Sequence, residues 1–142
     1  MTTAIIALLL FGCASETVFI LLEHKKRMLS ALLFKALASL MFVLGGMFAF
    51  SLATRLSFAR LVLVGLMLGA IGDVCLNLRF LITDGAKRSF MFGIASFLLG
   101  HVAYVLALVT CSPAALLYAL PAAAVVSFFL IRFVLARIEV EG

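Results

Sequence analysis

Charge is what this sequence has least of. Of its 142 residues only 12% are Asp, Glu, Lys or Arg, while 67% are apolar. A soluble domain of this length needs far more polar surface to cover its core, so a water-soluble globule is excluded. Cysteine is also scarce: there are three, an odd number, and no Cys-x-x-Cys. That excludes a disulfide framework and zinc-ligand spacing. Cys13 and Cys75 fall in apolar runs and Cys111 in a turn, where packing is the expected role. A phosphate-binding glycine loop, Gly-x-Ser-x-Gly and His-Glu-x-x-His are absent too. The two histidines, His24 and His101, lie on different segments. No metal site and no cofactor is expected.

What is present is a series of long apolar runs. About 20 such residues cross a bilayer as a helix. The alternating segments of about 10 residues that mark a membrane β-barrel are not seen. A helix satisfies its own backbone hydrogen bonds in lipid, so the expected fold is all-α: a polytopic membrane helix bundle of about five transmembrane helices. The expected spans are Thr3 to Leu22, Leu29 to Ala53, Leu61 to Leu78, Ser89 to Thr110 and Ala114 to Ile131, with Pro121 as a possible kink in the last. No linker, repeat or low-complexity tract divides them, so residues 1–142 read as a single transmembrane helical domain. The first span lacks the basic start and small-residue cleavage site of a signal peptide, and Glu16 interrupts it, so it is expected to be retained.

Lys and Arg placement sets the expected orientation. One side of the bundle holds Lys25, Lys26, Arg27, Arg79, Lys87, Arg88, Arg132 and Arg137, and the other only Arg55 and Arg60. The first side is therefore expected in the cytoplasm, with the N-terminus outside and the C-terminus inside. The net charge of +5 then reads as a topology signal, with contact to anionic lipid. Nucleic acid is not an expected partner, because the basic residues are divided among short loops.

The informative residues are ionisable groups within the spans: Glu16, Lys35, Asp73 and His101. Each costs at least about 2.5–3.5 kcal/mol to insert, so such groups face the bundle interior and either pair or act. Helical rise puts Glu16 and Lys35 roughly 9 Å from the cytoplasmic ends of their helices and Asp73 roughly 7 Å from its own; His101 is deeper, at roughly 15 Å or more. Three residues of opposite charge thus share one depth. A structural reading stands beside the functional one: Lys35 can snorkel to the headgroups, Glu16 and Lys35 can be a purely structural pair, and His101 can be a satisfied interior histidine. Gly65, Gly69, Gly72 and Asp73 share one helical face, with Asn77 one turn further on, so a neighbouring helix can approach closely there.

Gly72-Asp73-Val74-Cys75-Leu76, followed by Phe92-Gly93-x3-Phe97-x2-Gly100-His101-x2-Tyr104, resembles the lysoplasmalogenase (YhhN-like) membrane family. That family pairs a Gly-Asp-x-x-Leu motif on one helix with a Phe-x-x-Gly-His-x-x-Tyr-like motif on the next. It also carries a Lys-Pro-Leu near the start of helix 2, which Lys35-Ala36-Leu37 matches with alanine in place of proline. The resemblance covers roughly residues 15–110. The loop from Leu81 to Phe90 is longer than the family pattern, and the family's further helices and second acidic motif have no counterpart before Gly142.

The resemblance implies cleavage of the vinyl ether bond of lysoplasmalogen, a membrane lysolipid, to a fatty aldehyde and a glycerophospho head. Protonation of the vinyl carbon gives an oxocarbenium-like cation that water attacks, and glycoside hydrolases meet a similar cation with two carboxylates. It implies Asp73 as the matched catalytic residue, with Glu16 as candidate second carboxylate and His101 as candidate orienting group. Lys35, Asn77 and Tyr104 are the candidate substrate contacts, Lys35 through the phosphate and Tyr104 beside Asp73 or water. The missing second acidic motif leads to the expectation of a homodimer, or a complex with another membrane subunit, built partly on the helix 3 glycine face. The alternative is a site within one chain that sets Glu16 beside Asp73. The expected location is integral and multi-pass, in a bacterial inner (plasma) membrane. A competing function is a small proton-coupled transporter of cationic compounds in which Glu16 alternates between proton and cargo.

The orientation is directly testable. In intact cells a membrane-impermeant thiol reagent should label Cys111 in a chain carrying Cys13→Ser and Cys75→Ser. Labelling that appears only after lysis reverses the orientation.

Overall fold

In the computed structural model the described residues are 2–112 together with 114, 117, 118, 121, 125, 128, 129 and 132. Four α-helices run through them: α1 (Thr2–His24), α2 (Met28–Ser51), α3 (Leu56–Leu78) and α4 (Ala86–Cys111). All four are long and apolar enough to cross a membrane. The chain is an all-α, multi-pass integral membrane protein. The expected fifth span, 114–131, falls largely outside the described residues. Two compact units are distinguished, residues 1–107 and 108–142, and the site described below lies wholly in the first.

The helices outrun the apolar segments that announce them. α3 begins at Leu56 rather than Leu61, so Arg60 is helical and the break shortens to a few residues around Arg55. α4 begins at Ala86, which places Lys87 and Arg88 in its first turn rather than in a loop. Hydropathy marks where hydrocarbon ends, whereas backbone hydrogen bonding carries the helix on into the headgroup layer. At 23–26 residues per helix, a rise of 1.5 Å gives about 35 Å or more, beyond the roughly 30 Å hydrocarbon core. Tight turns join the spans: Lys26 has φ 56° between α1 and α2, and Gly85 has φ 89° just before α4. The left-handed region at Gly85 favours glycine.

The distribution of side chains is the reverse of a soluble protein's. Among the described residues buried apolar side chains are few, and most are small: Ala31, Ala38, Ala103 and Ala107, with Phe19 the exception. Large side chains such as Leu10, Leu21, Leu33 and Leu98 point outward and are more than half exposed. Lipid solvates those large groups, so close backbone approach holds the bundle together. On α4 the buried residues Gly93, Ser96, Gly100, Ala103 and Ala107 recur every three or four positions and form one small-residue face. α3 packs on it. The aromatic rings of Tyr104 and Phe97 lie over Gly65 and Gly72, and a Cβ on Gly100 would come within 3.2 Å of the Gly65 carbonyl oxygen. Two serines of α4 stitch the pair: Ser96 Oγ donates to Leu68 O (2.6 Å) and Ser89 Oγ to Cys75 O (2.7 Å).

Gly69 differs from its neighbours, because a Cβ there would meet nothing within 4 Å. Gly72→Ala, whose added methyl would lie 2.6 Å from the Phe97 ring, should cost about 1–3 kcal/mol through overpacking. Gly69→Ala should leave stability unchanged. Thermal unfolding of the purified variants in detergent compares them, and equal loss in both contradicts this packing.

Candidate functional site

Each of the first three helices presents site residues at helical spacing. On α1, Glu16, Phe19 and Glu23 recur at i, i+3 and i+7, and on α2, Lys35 and Ser39 are one turn apart. On α3, Gly69, Asp73 and Asn77 follow at intervals of four. The helices bring these faces together around the Lys35 ammonium. Lys35 Nζ lies 2.6 Å from Glu16 Oε1 and 3.5 Å from Asp73 Oδ1. Its other neighbour is the Phe19 ring, whose centroid is 5.1 Å from Nζ. That is within the range of a cation–π contact. The second oxygen of Asp73 is also engaged: Ser39 Oγ donates to Oδ2 at 2.5 Å.

Asp73 therefore pairs with an ammonium through one oxygen and accepts from a hydroxyl on the other. One cation between two carboxylates leaves the cluster one formal negative charge in excess. The Lys35, Asp73 and Glu16 side chains are 18%, 23% and 35% exposed, so Glu16 is the most open to its surroundings.

Asp73 lines two cavities. One, of about 150 Å³, is bounded by Ser39, Phe42, Leu66, Gly69, Ala70 and Tyr104. The bare backbone of Gly69 gives it room. The other, of about 260 Å³, runs toward the end of α3 and includes Phe19, Glu23, Lys35, Asn77 and Arg79. Ser39 also borders an almost wholly apolar groove of about 510 Å³ between α2 and α3, walled by Leu40, Val43, Met67 and Ile71 among others.

Of the residues expected at a site, Glu16, Lys35 and Asp73 come together within one chain, and Tyr104 shares a cavity with Asp73. Asn77 lines the other cavity, but its Nδ2 donates to the backbone carbonyl of Asp73 at 3.0 Å. His101 does not join the cluster. It is exposed on α4, its Nδ1 lies 2.8 Å from Phe97 O, and its ring meets Tyr104 edge-on at 6.3 Å between centroids. The Gly65 and Gly72 positions of the helix 3 face are covered by α4 of the same chain. Two members of the site were not anticipated. Ser39 had a legible signal, its place one turn after Lys35. Arg79 had none, because its position in a basic loop pointed only to topology.

A family model described as the YhhN family matches residues 30–140. No curated protein matches the chain, and no solved structure does.

The shared ammonium makes a prediction about stability. Lys35→Met leaves Glu16 and Asp73 facing each other without their cation and should lower the unfolding midpoint in detergent. Adding Glu16→Gln removes one of the opposed charges and should restore part of the loss. Strictly additive losses in the double variant contradict a shared cation.

Proposed function

The chain belongs to the YhhN family, and from that membership and the Asp73 cluster we propose that it is a membrane-embedded hydrolase of lysolipid vinyl ethers. The observation that carries the reading is the pairing of two carboxylates, Glu16 and Asp73, across one ammonium, with Asp73 lining two cavities. Hydrolysis of a vinyl ether needs a proton on carbon, stabilisation of the resulting cation, and a water. The cluster is equipped for each of these.

In the proposed reaction a proton carried by one of the two carboxylates passes to the vinyl carbon remote from the ether oxygen, and the double bond becomes a C–H bond and an oxocarbenium ion. The excess negative charge left on the carboxylates stabilises that cation, as in glycoside hydrolysis. Water adds to the cationic carbon and returns a proton to the cluster. The hemiacetal then collapses to a fatty aldehyde and the free hydroxyl of the glycerophospho head. One water is consumed, no electrons are transferred, and the protein regains its starting charge. Ser39 orients Asp73 through its hydrogen bond, and Tyr104 borders the cavity where the reacting bond lies. Both carboxylates flank the same Lys35, so no second subunit is required to bring Glu16 to Asp73.

The test is aldehyde release from a lysoplasmalogen by purified protein. Asp73→Asn should reduce turnover at least about a hundredfold while the protein stays folded, since the amide cannot carry the proton. Ser39→Ala should lower turnover less severely, and His101→Gln should leave it close to wild type. Co-expressing Asp73→Asn with Glu16→Gln chains should not rescue activity if one chain supplies both carboxylates. A well-folded Asp73→Asn protein with wild-type aldehyde release excludes this mechanism.

A further inference from the structure

Arg79 closes α3 and lines the 260 Å³ cavity that also contains Asp73. Its guanidinium rests against two aromatic rings, with Cζ 4.5 Å from the centroids of both Phe80 and Phe90. Aromatic faces fix a guanidinium plane without neutralising its charge. Among the described residues Arg79 has no carboxylate within ion-pair distance, although Glu23 borders the same cavity. Its Nε is buried and has no hydrogen-bond partner. A buried donor left without a partner is costly, so native structures rarely leave one unfilled. Lys35, the other cation of the cavity, is already committed to Glu16 and Asp73.

Resting on the vinyl ether reading above, we propose that Arg79, set against Phe80 and Phe90, is the binding site for the phosphate of the ligand, a role that the sequence pattern had pointed to Lys35. The fork of a guanidinium matches two phosphate oxygens, and phosphate supplies the acceptor that Nε lacks. The spacing agrees with the reaction. Arg79 follows Asp73 by six residues of helix, a rise of roughly 9 Å. In a lysoplasmalogen the phosphorus and the carbon to be protonated are seven bonds apart. An extended chain advances about 1.2 Å per bond, which gives roughly 8 Å. A headgroup on Arg79 therefore places the vinyl ether at Asp73 and sends the hydrocarbon beyond it, away from the α3 terminus.

Phosphate could arrive on a lipid or as the free ion, and binding measurements separate the two without depending on catalysis. The probes are a saturated hexadecyl-ether lysophosphatidylcholine, which lacks the cleavable double bond, hexadecylglycerol, which lacks the phosphate, and inorganic phosphate. Each is titrated against the purified full chain in detergent. Arg79→Gln should weaken the phospholipid ether by roughly ten- to a hundredfold, the effect of losing charge-assisted bonds. It should leave hexadecylglycerol binding unchanged. Phe90→Leu, which removes one ring but keeps the charge, should weaken the phospholipid by a smaller factor and carries the test if Arg79→Gln does not fold. Arg79-dependent binding of the phospholipid that inorganic phosphate does not displace identifies a lipid headgroup as the source; Arg79-dependent binding of inorganic phosphate alone identifies the free ion. Wild-type phospholipid affinity in folded Arg79→Gln, or in Phe90→Leu where it stands in, overturns the proposal even if aldehyde release is intact. An equal loss of hexadecylglycerol affinity overturns it too. Absence of aldehyde release with Arg79-dependent binding overturns only the hydrolase reading.

Discussion

The arrangement of the first three helices depends on one ammonium group. Lys35 stands within an apolar bundle at ion-pair distance from Glu16 on α1 and Asp73 on α3. Each of the three charges would be expensive in hydrocarbon on its own. Held together they offset most of that cost, and because they come from three different helices the pairing also fixes how those helices are rotated. A turn of α1 or α3 away from Lys35 would leave a carboxylate facing lipid. The same contacts that could serve catalysis therefore specify the fold, and a substitution at Lys35 disturbs both.

The side of Asp73's helix that meets α4 is governed by contact of another kind. Glycines and alanines let α3 and α4 approach closely enough for serine hydroxyls on one to reach carbonyls on the other. Gly69 is the exception that gives the site its space: it lies between Gly65 and Gly72, both covered by rings, yet has open volume beside it. The face that packs the bundle thus also opens a cavity at the carboxylate.

The membrane class and the positions of four helices were legible because hydrocarbon thickness imposes a length that composition reveals at once. Helix ends were less so: α3 reaches back to Leu56 and α4 to Ala86, since a headgroup layer tolerates Arg60, Lys87 and Arg88 within helical backbone. For the site, depth along each helix brought Glu16, Lys35 and Asp73 to one level, because rise per residue is constant. Depth cannot report which way a side chain faces, and His101 illustrates this: it occupies a motif position yet bonds to its own helix and stays exposed. Ser39 was hidden for another reason. Its place one turn after Lys35 is a signal shared by many serines in apolar runs, and the position of Asp73 across the helix pair gives this one its partner.

Asp73 stands at the border of two compartments, one leading toward the charged end of α3 and the other into the less polar interior. Under the proposed hydrolysis, a bond broken at that border would give one water-soluble and one lipid-soluble fragment. The headgroup would escape to water past Arg79, while the aldehyde would drain into the bilayer along the hydrocarbon side. The two products of the proposed hydrolysis differ in solubility, so the membrane itself would act as the sink for the aldehyde.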